Sequence, residues 1–317
     1  MRLSFTQEAD FRQLRDFGQK FSATFDFIGT HWRGLGRALV TIVLPAALVQ
    51  GVVNGLMQQQ LLALGTGRIS SRADVLERLA VFNSMRQLPF YWVNMATAAV
   101  FITLLVLTVY GYVRCCLHAR DSHEPIGPGQ VWAVVKEEFL GAFFSYFGLL
   151  LAIIIGFFLF FIPGLYLSIA LSLFYAVKVM EGTGFGATFS RCLQLVKGKW
   201  WSTCGLLFVM SFMLIIVVAV VSGIFGGLLY AIMRGVLGSV LGEGDSPMAL
   251  FTVVVTTLTS LFNLLIYPPL LLALGFQYFN LVERRDGVGL RHLVDQLGRA
   301  PASVQNAAYR PDDEGEY

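Results

Sequence analysis

The sequence predicts an all-α integral membrane protein: six transmembrane helices, with three amphipathic interfacial helices on the cytoplasmic side. Three observations predict it. The chain is 56% hydrophobic and 14% charged over 317 residues, whereas soluble domains carry about 25% charged residues. The apolar residues gather in runs near or above the roughly 20 residues that cross a bilayer as a helix. The basic residues are also split unevenly between the segments that join those runs.

The runs cover residues 35–57, 89–113, 141–162, 165–180, 200–230 and 249–281. The fourth is short, and the last two are long enough to tilt or to project from the hydrocarbon. This gives a cytoplasmic N-terminal amphipathic segment at 1–34, a membrane domain at 35–282 and a C-terminal tail at 283–317. The first residues, MRLSFTQEADFRQLRDFG, lack a short apolar core and are not read as a signal peptide. No stretch leaves room for a soluble catalytic domain, which needs at least about 50 residues.

An even number of spans puts both termini on one side. Of the 23 Lys and Arg residues, five fall on the other side: Arg68, Arg72, Arg78, Arg86 and Arg234. The positive-inside rule makes the basic side the cytoplasmic side. On the outer side, Ser71-Arg-Ala-Asp starts like a capping box, and Val75, Leu76, Leu79 and Phe82 share a helical face. That segment reads as a short amphipathic helix. Residues 301–317 are polar and read as a disordered tail.

Each outward-going span follows an amphipathic segment: ATFDFIGTHWRG from Ala23, QVWAVVKEEFLG from Gln130 and ATFSRCLQLVKG from Ala187. Phe25, Trp132 and Phe189 each stand nine residues before a glycine, at 34, 141 and 198. This suggests three repeated units, each an interfacial helix followed by a hairpin of spans. Their basic residues, Arg33, Arg37, Lys136, Lys197 and Lys199, are the candidate ligands for anionic headgroups on the cytoplasmic leaflet, at about 1 kcal/mol each.

The string Gly182-Thr-Gly-Phe-Gly186 superficially fits a dinucleotide loop. That loop needs a preceding strand and a βαβ unit, and here it follows an apolar helix. The glycines instead read as the end of one helix, a turn and the start of the next, with Trp200 and Trp201 at headgroup level.

Four stretches together resemble a known family: Phe161-Ile-Pro-Gly-Leu-Tyr, Val179-Met-Glu-Gly, Arg191-Cys-Leu-Gln-Leu-Val-Lys-Gly-Lys-Trp-Trp, and Gln277-Tyr-Phe-Asn-Leu-Val-Glu-Arg-Arg-Asp-Gly-Val-Gly-Leu. The chain is similar, over about residues 11–290, to the membrane domain of some glycerophosphoryl diester phosphodiesterases, in its stand-alone, Bacteroidetes-type bacterial form. In the fused enzymes the chemistry belongs to a separate soluble barrel. The resemblance therefore implies a membrane module and carries over no catalytic residue.

Candidate chemistry is sparse. His118 and His123 flank Asp121 and Glu124 in a loop, where a solvated segment is the commoner reading than a metal site. Cys115, Cys116, Cys192 and Cys204 have no CxxC spacing. The adjacent pair at a span end is open to acylation, with inert thiols the ordinary reading. Gln50, Asn54, Asn94 and Asn263 are the intramembrane polar residues, suited to bonds between helices or, less commonly, to a substrate path. Tyr267-Pro268-Pro269 interrupts the sixth span as a static kink or a hinge. Gly223 and Gly227 form a small-xxx-small pair for packing or dimerisation.

These readings point to a non-enzymatic polytopic module that organises or regulates lipids or partner membrane proteins. No cofactor and no nucleic-acid partner are expected, while a membrane-protein partner or a homodimer fits. The alternative is a transporter or channel for a lipid-like or amphiphilic solute. A deep polar cavity between spans one, two and six would favour transport, and a closed apolar core would favour the module.

Overall fold

The computed structural model describes residue 5 and residues 8–65, 89–118, 126–232 and 245–287. Every element among them is helical: α1 (Glu8–Phe11), α2 (Phe17–Ala38), a π-helical turn (Leu39–Val43), α3 (Leu44–Gly65), α4 (Pro89–His118), α5 (Pro128–Leu159), α6 (Phe161–Leu171), α7 (Phe174–Glu181), α8 (Phe185–Val196), α9 (Trp200–Ile232) and α10 (Asp245–Asp286). Six stretches are long and apolar enough to cross a membrane: Phe17–Gln60, Phe90–His118, Pro128–Leu159, Phe161–Glu181, Trp200–Leu228 and Leu250–Asp286. The chain is a multi-pass membrane protein of all-helical fold. The expected outer amphipathic helix near Ser71, most of the His118–Glu124 loop and the C-terminal tail lie outside the described residues.

The three amphipathic segments differ in form. Residues 23–34 and 130–141 are not separate helices, because nothing stops the helix at their ends. The first continues from α2 through the π turn into α3. That turn sits just before Pro45, whose ring lacks an N–H and crowds the carbonyl four residues back. The chain adapts by widening, and the Leu44 N–H donates to Leu39 O five residues back. The second segment lies inside α5, which starts at Gly127-Pro128, the favoured place for proline at a helix N-terminus. Only the third is a helix of its own. Gly182 (φ +62°) closes α7, Gly184 caps α8, and Gly198 (φ +81°) ends the turn before α9.

The three repeated glycines accordingly do three different jobs. A Cβ at Gly34 would lie 2.3 Å from the Tyr112 hydroxyl, and one at Gly141 would lie 3.1 Å from Lys178 Nζ. Gly198 instead provides a left-handed turn that an L side chain strains to adopt.

A core cluster lies where Phe5, residues 8–16, α7, α8 and the end of α10 gather, the basic end of the bundle. Phe5, Phe11, Phe27 and Phe276 pack ring against ring at 5.5–6.3 Å. Arg15 lies over Phe276 at 5.1 Å, donates from its backbone N–H to Asn280 Oδ1 (3.2 Å), and donates from Nη1 to Phe11 O (2.8 Å). Burial lowers its guanidinium to about 10, partly offset by Asp10, so it stays cationic at neutral pH. Towards the opposite end, α3 and α10 approach closely at Gly51 and Gly55. A Cβ at either would lie 2.6–2.7 Å from the Cα of Thr257 or Val253. In contrast, a Cβ at Gly223 or Gly227 on α9 would meet nothing within 4 Å among the described residues.

Candidate functional site

An apolar groove of about 800 Å³ runs between the α2–π–α3 helix and α10. Leu35, Leu39, Val40 and Leu44 form one wall, and Leu261, Leu264 and Leu265 form the other. Both walls carry a helix irregularity. On one side it is the π turn, and on the other Pro268 and Pro269, which have no N–H for the carbonyls of Leu264 and Leu265. Arg33 and Arg37, four apart and hence on one helix face, line the groove with Trp32. The Arg33 guanidinium stands 5.3 Å from the Trp32 ring centroid. Among the described residues, no carboxylate lines the groove and neither arginine forms an ion pair. Hydrocarbon walls beside two available guanidiniums suit an acyl chain next to a phosphate.

Of the predicted headgroup ligands, the structure brings only Arg33 and Arg37 together here. Lys136 is exposed on α5, and Lys197 and Lys199 are exposed on either side of Gly198. The predicted amides do not form one site. Gln50 Nε2 donates to Asn94 Oδ1 at 3.2 Å, joining α3 to α4, and Asn54 and Asn263 are half-buried. A bond that sequence reasoning missed is Gln277 Nε2 to Thr203 Oγ1 (2.9 Å), between fully buried α10 and α9 side chains. An amide inside the apolar run of the sixth span was its available signal.

A second cavity, of about 370 Å³, opens at the basic end among Arg12, Arg114, Leu117, His118, Met180, Tyr278 and Phe279. Its surroundings are ion-paired. Lys178 Nζ lies 3.2 Å from Glu138, which is 3.9 Å from Arg114. Glu181 accepts from Arg191 Nε (3.1 Å) and from the Tyr278 hydroxyl (3.2 Å), while Arg191 also grips Asp286. His118 shares a hydrogen bond with Arg114 O at 2.8 Å and is the one member of the histidine loop that the structure describes. Burial pushes the Cys192 thiol up to about 12, which leaves it unreactive at neutral pH.

What the fold and groove define is an all-helical, multi-pass membrane protein with an apolar recess beside two arginines. The chain matches no family model, no curated protein and no solved structure.

Proposed function

We propose that the chain is a non-enzymatic membrane module that holds and organises anionic phospholipid. The observation that carries this reading is the groove, in which Arg33 and Arg37 meet leucine walls with no acid among the described lining residues to neutralise them. An interfacial site binds through buried apolar area plus attraction to anionic lipid, and the groove offers both. In this reading the basic end faces the cytoplasm of a bacterial inner membrane, with both termini inside. Lys136, Lys197 and Lys199 add a diffuse basic collar, and the resemblance to the phosphodiesterase membrane domain enters this reading as one of sequence motifs alone. The transport alternative asks for a polar cavity between spans one, two and six. Between spans one and six, α3 and α10 instead approach backbone to backbone at Gly51 and Gly55, and the groove beside them has apolar walls, which favours the module.

The test is anionic-lipid retention in nanodiscs, read by native mass spectrometry. Arg33, Arg37, Lys197 and Lys199 changed together to Gln should lose retained anionic lipid, and Arg33→Gln with Arg37→Gln should account for most of the loss. Arg68, Arg72, Arg78 and Arg86 changed to Gln should lose less. The loss should shrink at high salt, as the Debye length falls from about 10 Å at 0.1 M to about 3 Å at 1 M. Equal retention in the wild type and the first quadruple variant removes the arginines from the functional account.

A further inference from the structure

The stretch Phe157-Phe-Leu-Phe-Phe-Ile-Pro-Gly-Leu165 joins α5 to α6 without a charged or hydrogen-bonding side chain. A turn standing in water beyond the far headgroups would be expected to be polar. This one is apolar, and its outer side chains are bare, with Phe158 90%, Phe160 73% and Ile162 77% exposed. Its height in the bundle follows from three contacts.

Trp200 opens α9. Its Nε1 donates to Tyr166 O at 3.4 Å, and its ring stacks on Tyr166 with centroids 6.2 Å apart and planes 8° apart. The start of α9 belongs to the basic end: just before it, Arg285 near the end of α10 donates to Gln194 O at 2.6 Å. Tyr166 is therefore held at the basic end. At a rise of about 1.5 Å per residue, the turn at Phe160 stands at most about 9 Å beyond Tyr166, whereas α9 extends roughly 50 Å from Trp200 to its far end.

The position of α5 agrees independently. Its first turns pack Val131 and Val134 against Gly111, near the end of α4. Some 14 residues further along, roughly 21 Å of helix, Gly148 still lies against Phe185, where an added Cβ would come within 2.9 Å of the ring. Phe185 begins α8, whose Arg191 and Gln194 hold the end of α10. The helix thus travels obliquely past the elements of the basic end instead of rising away from them. Between α6 and α7 the regular α-helical pattern is interrupted at Ser172–Leu173, whose Ser172 N–H donates to Ile169 O three residues back.

We propose that α5 and α6 form a re-entrant wedge. It enters the bilayer from the basic end, turns at Phe160 within the hydrocarbon of that leaflet, and returns to the same side. Its partner is the acyl-chain layer, which covers the exposed phenylalanines of the turn. The hydrocarbon is about 30 Å thick, so a turn at this height stops short of the opposite headgroups. Four stretches then cross fully: α2–α3, α4, α9 and α10. The even number is kept, so the charge split between the two sides is the same with or without the wedge. The wedge does not depend on the lipid groove.

The test uses the full chain in oriented vesicles, with single cysteines placed in a cysteine-free background. Ser71→Cys and Ser122→Cys mark the two aqueous sides. Phe160→Cys and Ile162→Cys probe the turn at two exposed positions whose loss disturbs no packing. An impermeant thiol reagent is expected to label neither turn position from either side. A nitroxide on each should meet oxygen and be shielded from a water-soluble nickel chelate, as a label at Ile216 midway along α9 should be. Labelling of the turn from the side that labels Ser71 means that α5 and α6 cross, and overturns the wedge. Labelling from the side that labels Ser122 means that the hairpin lies outside the leaflet, and overturns it equally.

Discussion

Gln50 and Asn94 show what a polar residue does in this bundle. Each sits in an apolar run, and the 3.2 Å bond between them ties α3 to α4 while Gln50 Oε1 stays buried without a hydrogen-bond partner among the described residues. Bonds of this kind between membrane helices contribute about 0.6 kcal/mol on average and up to about 1.7 kcal/mol. A double-mutant cycle of Gln50→Leu and Asn94→Leu, read by reversible unfolding in mixed micelles, should return a coupling in that range. A coupling of zero would mean that the two amides act independently. That both residues are polar and lie within spans was legible in the sequence. Which amide meets which was not, because the pairing depends on the rotation and tilt of two helices.

At the scale of helices, the apolar runs contained two pairs of glycines four apart, and the structure uses the one that sequence reasoning passed over. Gly51 and Gly55 let α3 and α10 touch backbone to backbone, with Thr256 Oγ1 reaching Gly51 O at 3.4 Å. Backbone atoms cannot move aside as a side-chain end can. Gly51→Ala and Gly55→Ala should therefore each destabilise the protein by about 1–3 kcal/mol, the usual cost of overpacking. Gly223→Ala and Gly227→Ala, with nothing within 4 Å among the described residues, should stay within about 0.5 kcal/mol. Unfolding midpoints of the four variants check this, and a reversed order would move the close contact from α10 to α9. Glycine spacing alone cannot make this choice, since both pairs fit the same four-residue period and only the neighbouring helix decides which is used. The glycines of Gly182-Thr-Gly-Phe-Gly186 were readable from sequence, because a helix stop and a helix start are local events: Gly182 has φ +62° and Gly184 caps α8.

For the whole molecule, the arrangement in the bilayer is the testable quantity. With an even number of crossings, an impermeant thiol reagent outside intact, outer-permeabilised cells should react with Ser71→Cys and not with Ser122→Cys. Reaction of both from outside would break the topology in its four-crossing and six-crossing forms alike. The repeated amphipathic segments illustrate how far periodicity carries. All three segments are helical, yet two continue into their spans and one stands alone between glycine turns. Thr24 and Thr188, shared by the first and third segments, are both fully buried, although the two segments have different surroundings.

By itself the sequence determined that this chain lives in a membrane, that it is helical and about where its apolar helices lie. Those properties follow from hydropathy and length, which act over some twenty neighbouring residues. It also marked Arg33 and Arg37 as a pair on one face, because a spacing of four is a local property of the helix. Only the tertiary structure decided that leucines from α10, more than 220 positions away, complete a groove beside them. Only it set Trp200 against Tyr166 and so fixed the height of the hairpin. An apolar run long enough to cross a bilayer is also long enough to lie obliquely within one leaflet. The choice between those outcomes rests on packing between distant segments, which composition and periodicity do not encode.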